Sequence, residues 1–213
     1  MKKNFTEDYI MKKWLFLIPA AAGVAAAAVL LCCFSAKAQV VAGAGYSHTT
    51  IHEMLANVEN GPYYNNNVYA ELGYDLAFNR RTSILATVRG GTYFGNSESA
   101  RSICNKDGQY YLRVPVYGKY IFAADSDLKL FLYLGPEFNY TLSNSGTGEF
   151  AWKQGRIRRE NVYLGGGIGG DIYRHLRVRL GYEWGLLNEF TDDMNGNLKC
   201  HSTDFTFGVS YVF

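Results

Sequence analysis

The chain has 213 residues, with 21 Lys and Arg against 19 Asp and Glu, a net charge of +2. That balance leaves no basic footprint for nucleic acid. Beyond one N-terminal run, no stretch reaches the about 20 apolar residues of a membrane-spanning helix.

The N-terminus reads as an export signal. Lys12 and Lys13 precede an apolar run from Trp14 to Phe34, and Ser35-Ala36-Lys37-Ala38-Gln39 follows with alanines where a signal peptidase reads them. Residues 1–38 are therefore expected to be a signal peptide, cleaved between Ala38 and Gln39, with Met11 an alternative start. An uncleaved anchor fits less well. So does lipidation at Cys32 or Cys33, where Leu31 stands in place of a small residue. Residues 39–213 are expected to form one domain.

Eight segments of that domain alternate with a period of two, the signature of half-buried strands. The first, Val40 to Ser47, has small residues on both faces. In the second, Val68, Ala70, Leu72, Tyr74, Leu76 and Phe78 oppose Tyr69, Glu71, Gly73 and Asp75. The third sets Ile84, Ala86, Val88 and Phe94 against Ser83, Thr87, Arg89 and Tyr93. The fourth sets Tyr110, Leu112, Val114, Val116, Tyr120 and Phe122 against Tyr111, Arg113, Tyr117 and Lys119. Pro115 lies within it and cannot donate to a ladder, so a bulge or break is expected there. The fifth opposes Leu128, Leu130, Leu132, Leu134 and Phe138 to Lys129, Tyr133, Glu137 and Asn139. The sixth opposes Val162, Leu164, Ile168 and Ile172 to Tyr163, Asp171 and several glycines. The seventh opposes Leu176, Val178, Leu180, Tyr182, Trp184 and Leu186 to Arg177, Arg179 and Glu183. The eighth ends the chain, with Phe205, Phe207, Val209, Tyr211 and Phe213 on one face. A period of two ending in a terminal aromatic is expected of the closing strand of an outer-membrane β-barrel.

The connections alternate in length. Short turns surround Asn79-Arg80-Arg81, Ala124 to Asp127, and Tyr173-Arg174-His175; the others run roughly 52–66, 95–108, 143–160 and 188–203. This is the up-and-down topology of an eight-stranded antiparallel transmembrane barrel, short turns in the periplasm and long loops outside. A soluble barrel would also alternate, but its polar face would need no glycine density. Here Gly73, Gly91, Gly135, Gly165, Gly167, Gly169, Gly181, Gly185 and Gly208 share that face with Glu71, Asp75, Arg89, Arg113, Lys119, Lys129, Glu137, Asp171, Arg177, Arg179 and Glu183. Small residues make room for long charged ones in a narrow lumen. These eleven charges are expected to form an interior network that plugs the barrel, in preference to a conducting pore. The other face is apolar, as lipid requires. Export also makes Cys104 and Cys200 candidates for a disulfide, with free thiols as the alternative.

The segments Tyr111-Leu-Arg-Val-Pro-Val-Tyr-Gly-Lys-Tyr120, Tyr133-Leu-Gly-Pro-Glu137 and Gly181-Tyr-Glu-Trp-Gly-Leu-Leu-Asn188 resemble the PorT-like outer-membrane β-barrel family of Bacteroidetes, one of the OmpA/OmpX-like eight-stranded barrels. The resemblance implies insertion by the outer-membrane assembly machinery, with the C-terminal strand of Phe205, Phe207, Val209, Tyr211 and Phe213 as the assembly signal it reads. Some members act in protein secretion, so it also implies an accessory role in a secretion or transport complex as an alternative to a structural or loop-binding role. It supplies no catalytic residues.

Other motifs carry less. Gly165 to Gly170 satisfies a dinucleotide fingerprint but leads into a turn and a strand where a helix is required. His48, His52, His201 and Ser202, with Glu53 or Asp204 as acid, could serve a lipid A-modifying enzyme at the outer rim, though no such enzyme's motif is matched. Asp192, Asp193, Asn195 and Asn197 lack the glycine and glutamate of a calcium loop. Lys153, Arg156, Arg158 and Arg159 form a basic loop cluster. The expected protein is non-enzymatic, without cofactor or metal, with membrane lipid, the assembly machinery and an unidentified loop partner as its contacts.

Overall fold

The computed structural model describes residues 37–55, 58–59, 61–95, 102, 104–124, 127–144, 157–173, 175–190 and 198–213. The apolar run of the expected signal peptide lies outside them. Ala38 and Gln39, the expected cleavage junction, are exposed at the start of the first strand.

Eight long strands form the barrel: β1 (Lys37–Leu55), β2 (Tyr63–Ala77), β3 (Thr82–Gly95), β4 (Gln109–Ala124), β5 (Leu128–Asn144), β6 (Glu160–Ile172), β7 (Leu176–Gly185) and β8 (Leu198–Val212). Each pairs antiparallel with its sequence neighbour, and β1 pairs with β8 from Val41–Val212 to Leu55–Leu198, which closes the sheet. A two-residue strand, Val58–Glu59, folds back on the end of β1. Closure leaves no unpaired edge, the condition for strands to cross lipid.

The strands outrun the sequence pattern. β1 continues to Leu55, past the expected end at Ser47, and β8 starts at Leu198, inside the expected 188–203 loop. Most positions there are polar on both faces, with Ile51 an inward exception, so no sustained hydrophobic period marks the extension. Buried Ser47, Thr49 and Glu53 take the inward positions of β1, while His48 and His52 face out. A membrane strand needs about 9–11 residues, so β1, with 19, projects beyond the lipid at the long-loop end.

Pro115 breaks the ladder without shifting it. Pairing of β3 with β4 runs to Ala86–Val116 and resumes at Arg89–Arg113 in the same register. Register shifts in β4 fall instead at Tyr110/Tyr111 and Ile121/Ala123, against β5.

The two faces of the wall separate as the alternation requires. Leu72, Leu134, Ile168, Trp184 and every alternate residue from Phe205 to Phe213 are exposed, while the charged residues opposite them are buried. At Gly165 a Cβ would collide with the Glu137 carboxylate, and at Gly167 it would lie 2.8 Å from the Tyr133 hydroxyl. The glycines thus clear space for long polar side chains reaching across from other strands.

Two apolar clusters bracket the charged interior. Val41, Leu85, Tyr117, Phe131, Tyr133 and Val212 pack together toward the short-turn end. Ile51, Cys104, Ile157, Phe190 and Cys200 pack at the long-loop end. Inward-facing Leu85 and Phe131 were not evident from the sequence, because single apolar residues on a polar face do not disturb its period.

Candidate functional site

The interior holds three groups of buried ion pairs. Nearest the short turns, Lys119 Nζ lies 2.8 Å from Asp75 and 3.1 Å from Asp171. Arg177 reaches the same two carboxylates, each at 2.6 Å. Asp171 and Arg177 stand opposite each other across the tight β6–β7 hairpin, so the local register presets half of this cluster. Phe131 covers it, its ring 4.4 Å from Lys119 Nζ.

The central group is the largest. Arg89 Nη1 is 2.7 Å from Glu183, and its Nε is 3.2 Å from Glu71. Arg113 donates to Glu183, to Asp204 at 2.9 Å, and to the Tyr93 hydroxyl at 2.9 Å. Arg179 donates to Glu71, which also accepts from Ser210. Glu137 accepts from the Tyr117 hydroxyl at 2.5 Å and faces both Arg89 and Arg113. The Tyr163 ring lies 4.2 Å from the Arg113 guanidinium, a cation–π contact in a desolvated setting. Arg89 and Arg113 therefore each answer charges from several strands, which ties opposite walls together.

The third group comes from loops. Lys106 Nζ sits 2.7 Å from Glu189, 2.8 Å from the Ser202 hydroxyl and 3.0 Å from the Tyr163 hydroxyl. Burial acts to lower its pKa, but Glu189, with Tyr93 and Asp204 behind it, outweighs that and holds it above the ordinary lysine value. Lys106 is thus held in place by acceptors from β6, β8 and the segment that carries Glu189. Around it, Ser102 donates to Glu53 at 2.9 Å and Asn65 donates to Asn105 at 3.1 Å. An adjoining cavity of about 10 Å3, lined in part by Tyr93, Lys106, Asn161 and Glu189, has room for about one water.

Of the eleven charges expected in the lumen, ten are buried there. Lys129 is the exception: it stands opposite Asp171 in register but is only half-buried, and Asp171 pairs with Lys119 and Arg177. Asp204, Glu53, Lys106 and Glu189 join the interior without having been expected. Asp204 shares the inward face of β8 with Thr206, Gly208 and Ser210, so extending that alternation by one step would have found it. Lys106 and Glu189 lie in loops, where no period points inward.

Cys104 and Cys200 are joined, their Cα atoms 6.7 Å apart, within disulfide reach. The bond ties the loop that carries Lys106 to β8. Replacing Cys200 with Ser is expected to lower stability by about 2–4 kcal/mol, read as a shift in denaturant midpoint that reducing agent reproduces in the parent protein.

The rim residues weighed for catalysis do not converge. His48 is exposed on the outer face, stacked on Tyr64 and 3.0 Å from Asn66 Oδ1. His52 and His201 face each other in register between β1 and β8, on the outward side. Ser202 is fully buried on the inward side, where Lys106, Tyr163 and Glu189 occupy its hydroxyl. The wall separates the histidines from the serine. Arg158 and Arg159 are exposed; Lys153, Arg156 and the segment with Asp192, Asp193, Asn195 and Asn197 lie outside the described residues.

Comparison with known proteins agrees with this architecture. No curated protein sequence matches the chain. Among solved structures, Neisserial surface protein A has a TM-score of 0.50 at 13% identity, covering 83% of this chain and 99% of its own. The outer membrane protein OprG from Pseudomonas aeruginosa has a TM-score of 0.42 at 9% identity, covering 84% and 97%. The outer membrane enzyme PagL has 0.43 at 10%, covering 77% and 97%. At 13% identity the likeness to Neisserial surface protein A speaks to fold alone. The outer membrane protein beta-barrel domain profile matches residues 35–191. With that match and the closed eight-stranded wall, the chain belongs to the outer membrane protein beta-barrel domain family and is an integral protein of the outer membrane.

Proposed function

We propose that this protein is a closed, non-conducting barrel that holds its outer loops in fixed positions for contact with a partner at the cell surface. The observation that carries this reading is the interior: three buried ion-pair groups bracketed by apolar clusters. Eight strands enclose a lumen that side chains can fill. Lys106 and the Cys104–Cys200 bond hold loop residues down on its outer mouth. Membrane lipid and the assembly machinery, which would read Phe205 to Phe213, are the other contacts this reading requires.

The separation of His48, His52 and His201 from Ser202 favours a role without catalysis. The PorT-like segments favour, as a second reading, an accessory subunit of a secretion or transport complex; a stoichiometric partner retained after mild detergent extraction would support it. The test of the closed lumen is electrical. In planar bilayers the purified protein is expected to give no stepwise ion current. Regular, reproducible conductance steps from the unaltered chain would contradict the reading.

A further inference from the structure

The outward wall is not uniformly covered by large side chains. Register sets Ala70 beside Gly90 and Val68 beside Thr92 on β2 and β3, and Thr92 beside Tyr110 on β4. These positions face lipid, and the small side chains of Ala70, Gly90 and Thr92 leave a shallow, open apolar hollow of about 410 Å3, lined in part by Val68, Ala70, Gly90, Thr92 and Tyr110. Leu72, Val88 and Leu112, exposed on the same three strands, stand along its membrane side.

Directly beyond the hollow toward the outer rim, on the same face of β2, come Asn66 and Tyr64. Asn66 Oδ1 accepts from the Tyr46 hydroxyl at 2.5 Å and lies 3.0 Å from His48 Nδ1; the His48 ring stacks on Tyr64. This exposed group combines flat aromatic faces with neutral hydroxyl, amide and imidazole groups. Such a surface matches the hydroxyl-rich rings of a sugar. An apolar hollow with a sugar-compatible shelf above it, at the outer end of a wall that faces lipid, has the polarity of one amphipathic molecule. We propose that the β2–β4 wall is a binding site for an acylated glycolipid of the outer leaflet, with an acyl chain in the hollow and the sugar headgroup on Tyr46, His48, Tyr64 and Asn66. The proposal rests on the outer-membrane placement and is independent of whether the lumen conducts.

The test uses the full barrel in phosphatidylcholine vesicles containing a trace of phosphatidylcholine with a photoactivatable acyl chain. Peptides carrying residues 68–70 and 90–92 are expected to label several-fold more than the peptide carrying Leu132 and Leu134, and unlabelled lipid A should suppress the excess better than unlabelled phosphatidylcholine. Gly90→Leu and Ala70→Leu should each abolish the excess while the barrel still forms. A Cβ at Gly90 meets only Leu112, at 3.7 Å, so the filled variant is expected to fold, with heat-modifiable gel migration as the check. His48→Ala with Asn66→Ala should remove the lipid A preference and keep the labelling. Even labelling around the wall, an excess that survives both filled variants, equal competition by the two lipids, or cross-linking of two protein copies through this face would each overturn the proposal.

Discussion

Arg113→Ala is expected to cost about 3–5 kcal/mol of folding stability, the penalty for removing one partner of a buried charge cluster. Arg113 is 2% exposed and faces Glu183, Asp204 and Glu137 at once, while also donating to Tyr93 and Asn139. Alanine would leave those carboxylates gathered in a site without solvent, with Arg89 the nearest cation for two of them. The penalty comes from the acids left behind more than from the ion pairs lost, because desolvation offsets most of the attraction within a buried ion pair. Reversible denaturant titration of the barrel in vesicles measures it. A loss under about 1 kcal/mol, the range of an exposed pair, would mean that water reaches the central group freely.

Leu132→Arg is expected to cost about 2–4 kcal/mol, the penalty for a cation facing lipid near the bilayer midplane. Leu132 is 48% exposed on the outward face of β5, four residues from the start of the strand. Lys129→Gln, three residues away on the other face, is expected to change stability by no more than about 0.5 kcal/mol, since Lys129 makes none of the described ion pairs and sits half-buried at the inner rim. The same titration compares the two. Equal tolerance would mean the outward face is not in lipid.

What the sequence disclosed followed the strength of each periodic signal. The strands with Leu, Val or aromatics on one face, such as β5 and β7, announced both their faces and their neighbours. The outer half of β1 and the start of β8 did not, because Ser47, Thr49 and Ser202 face inward from segments nearly as polar as the loops beside them. Charge on a strand face was enough to place Glu71, Arg89 and Glu183 in the lumen, but it misplaced Lys129, whose position near the strand end leaves it at the rim. Lys106 and Glu189 were illegible for a different reason. Their inward course is set by tertiary contacts, the Cys104–Cys200 bond and the hydrogen bonds to Tyr163 and Ser202, and no local pattern encodes it. The terminal strand was the clearest signal of all: Phe205, Phe207, Val209, Tyr211 and Phe213 are each exposed on the outward wall.

The barrel wall rests on one division, apolar side chains outward to lipid and charged ones inward. Nitroxide labels on single cysteines along β5 test it directly, since the two described cysteines are joined to each other. Leu130, Leu132 and Leu134 are 36%, 48% and 62% exposed, against 0% for Phe131 and 5% for Tyr133. In vesicles, collision with membrane-dissolved oxygen is expected to be high at 130, 132 and 134 and low at 131 and 133. An inverted alternation, or none, would contradict it.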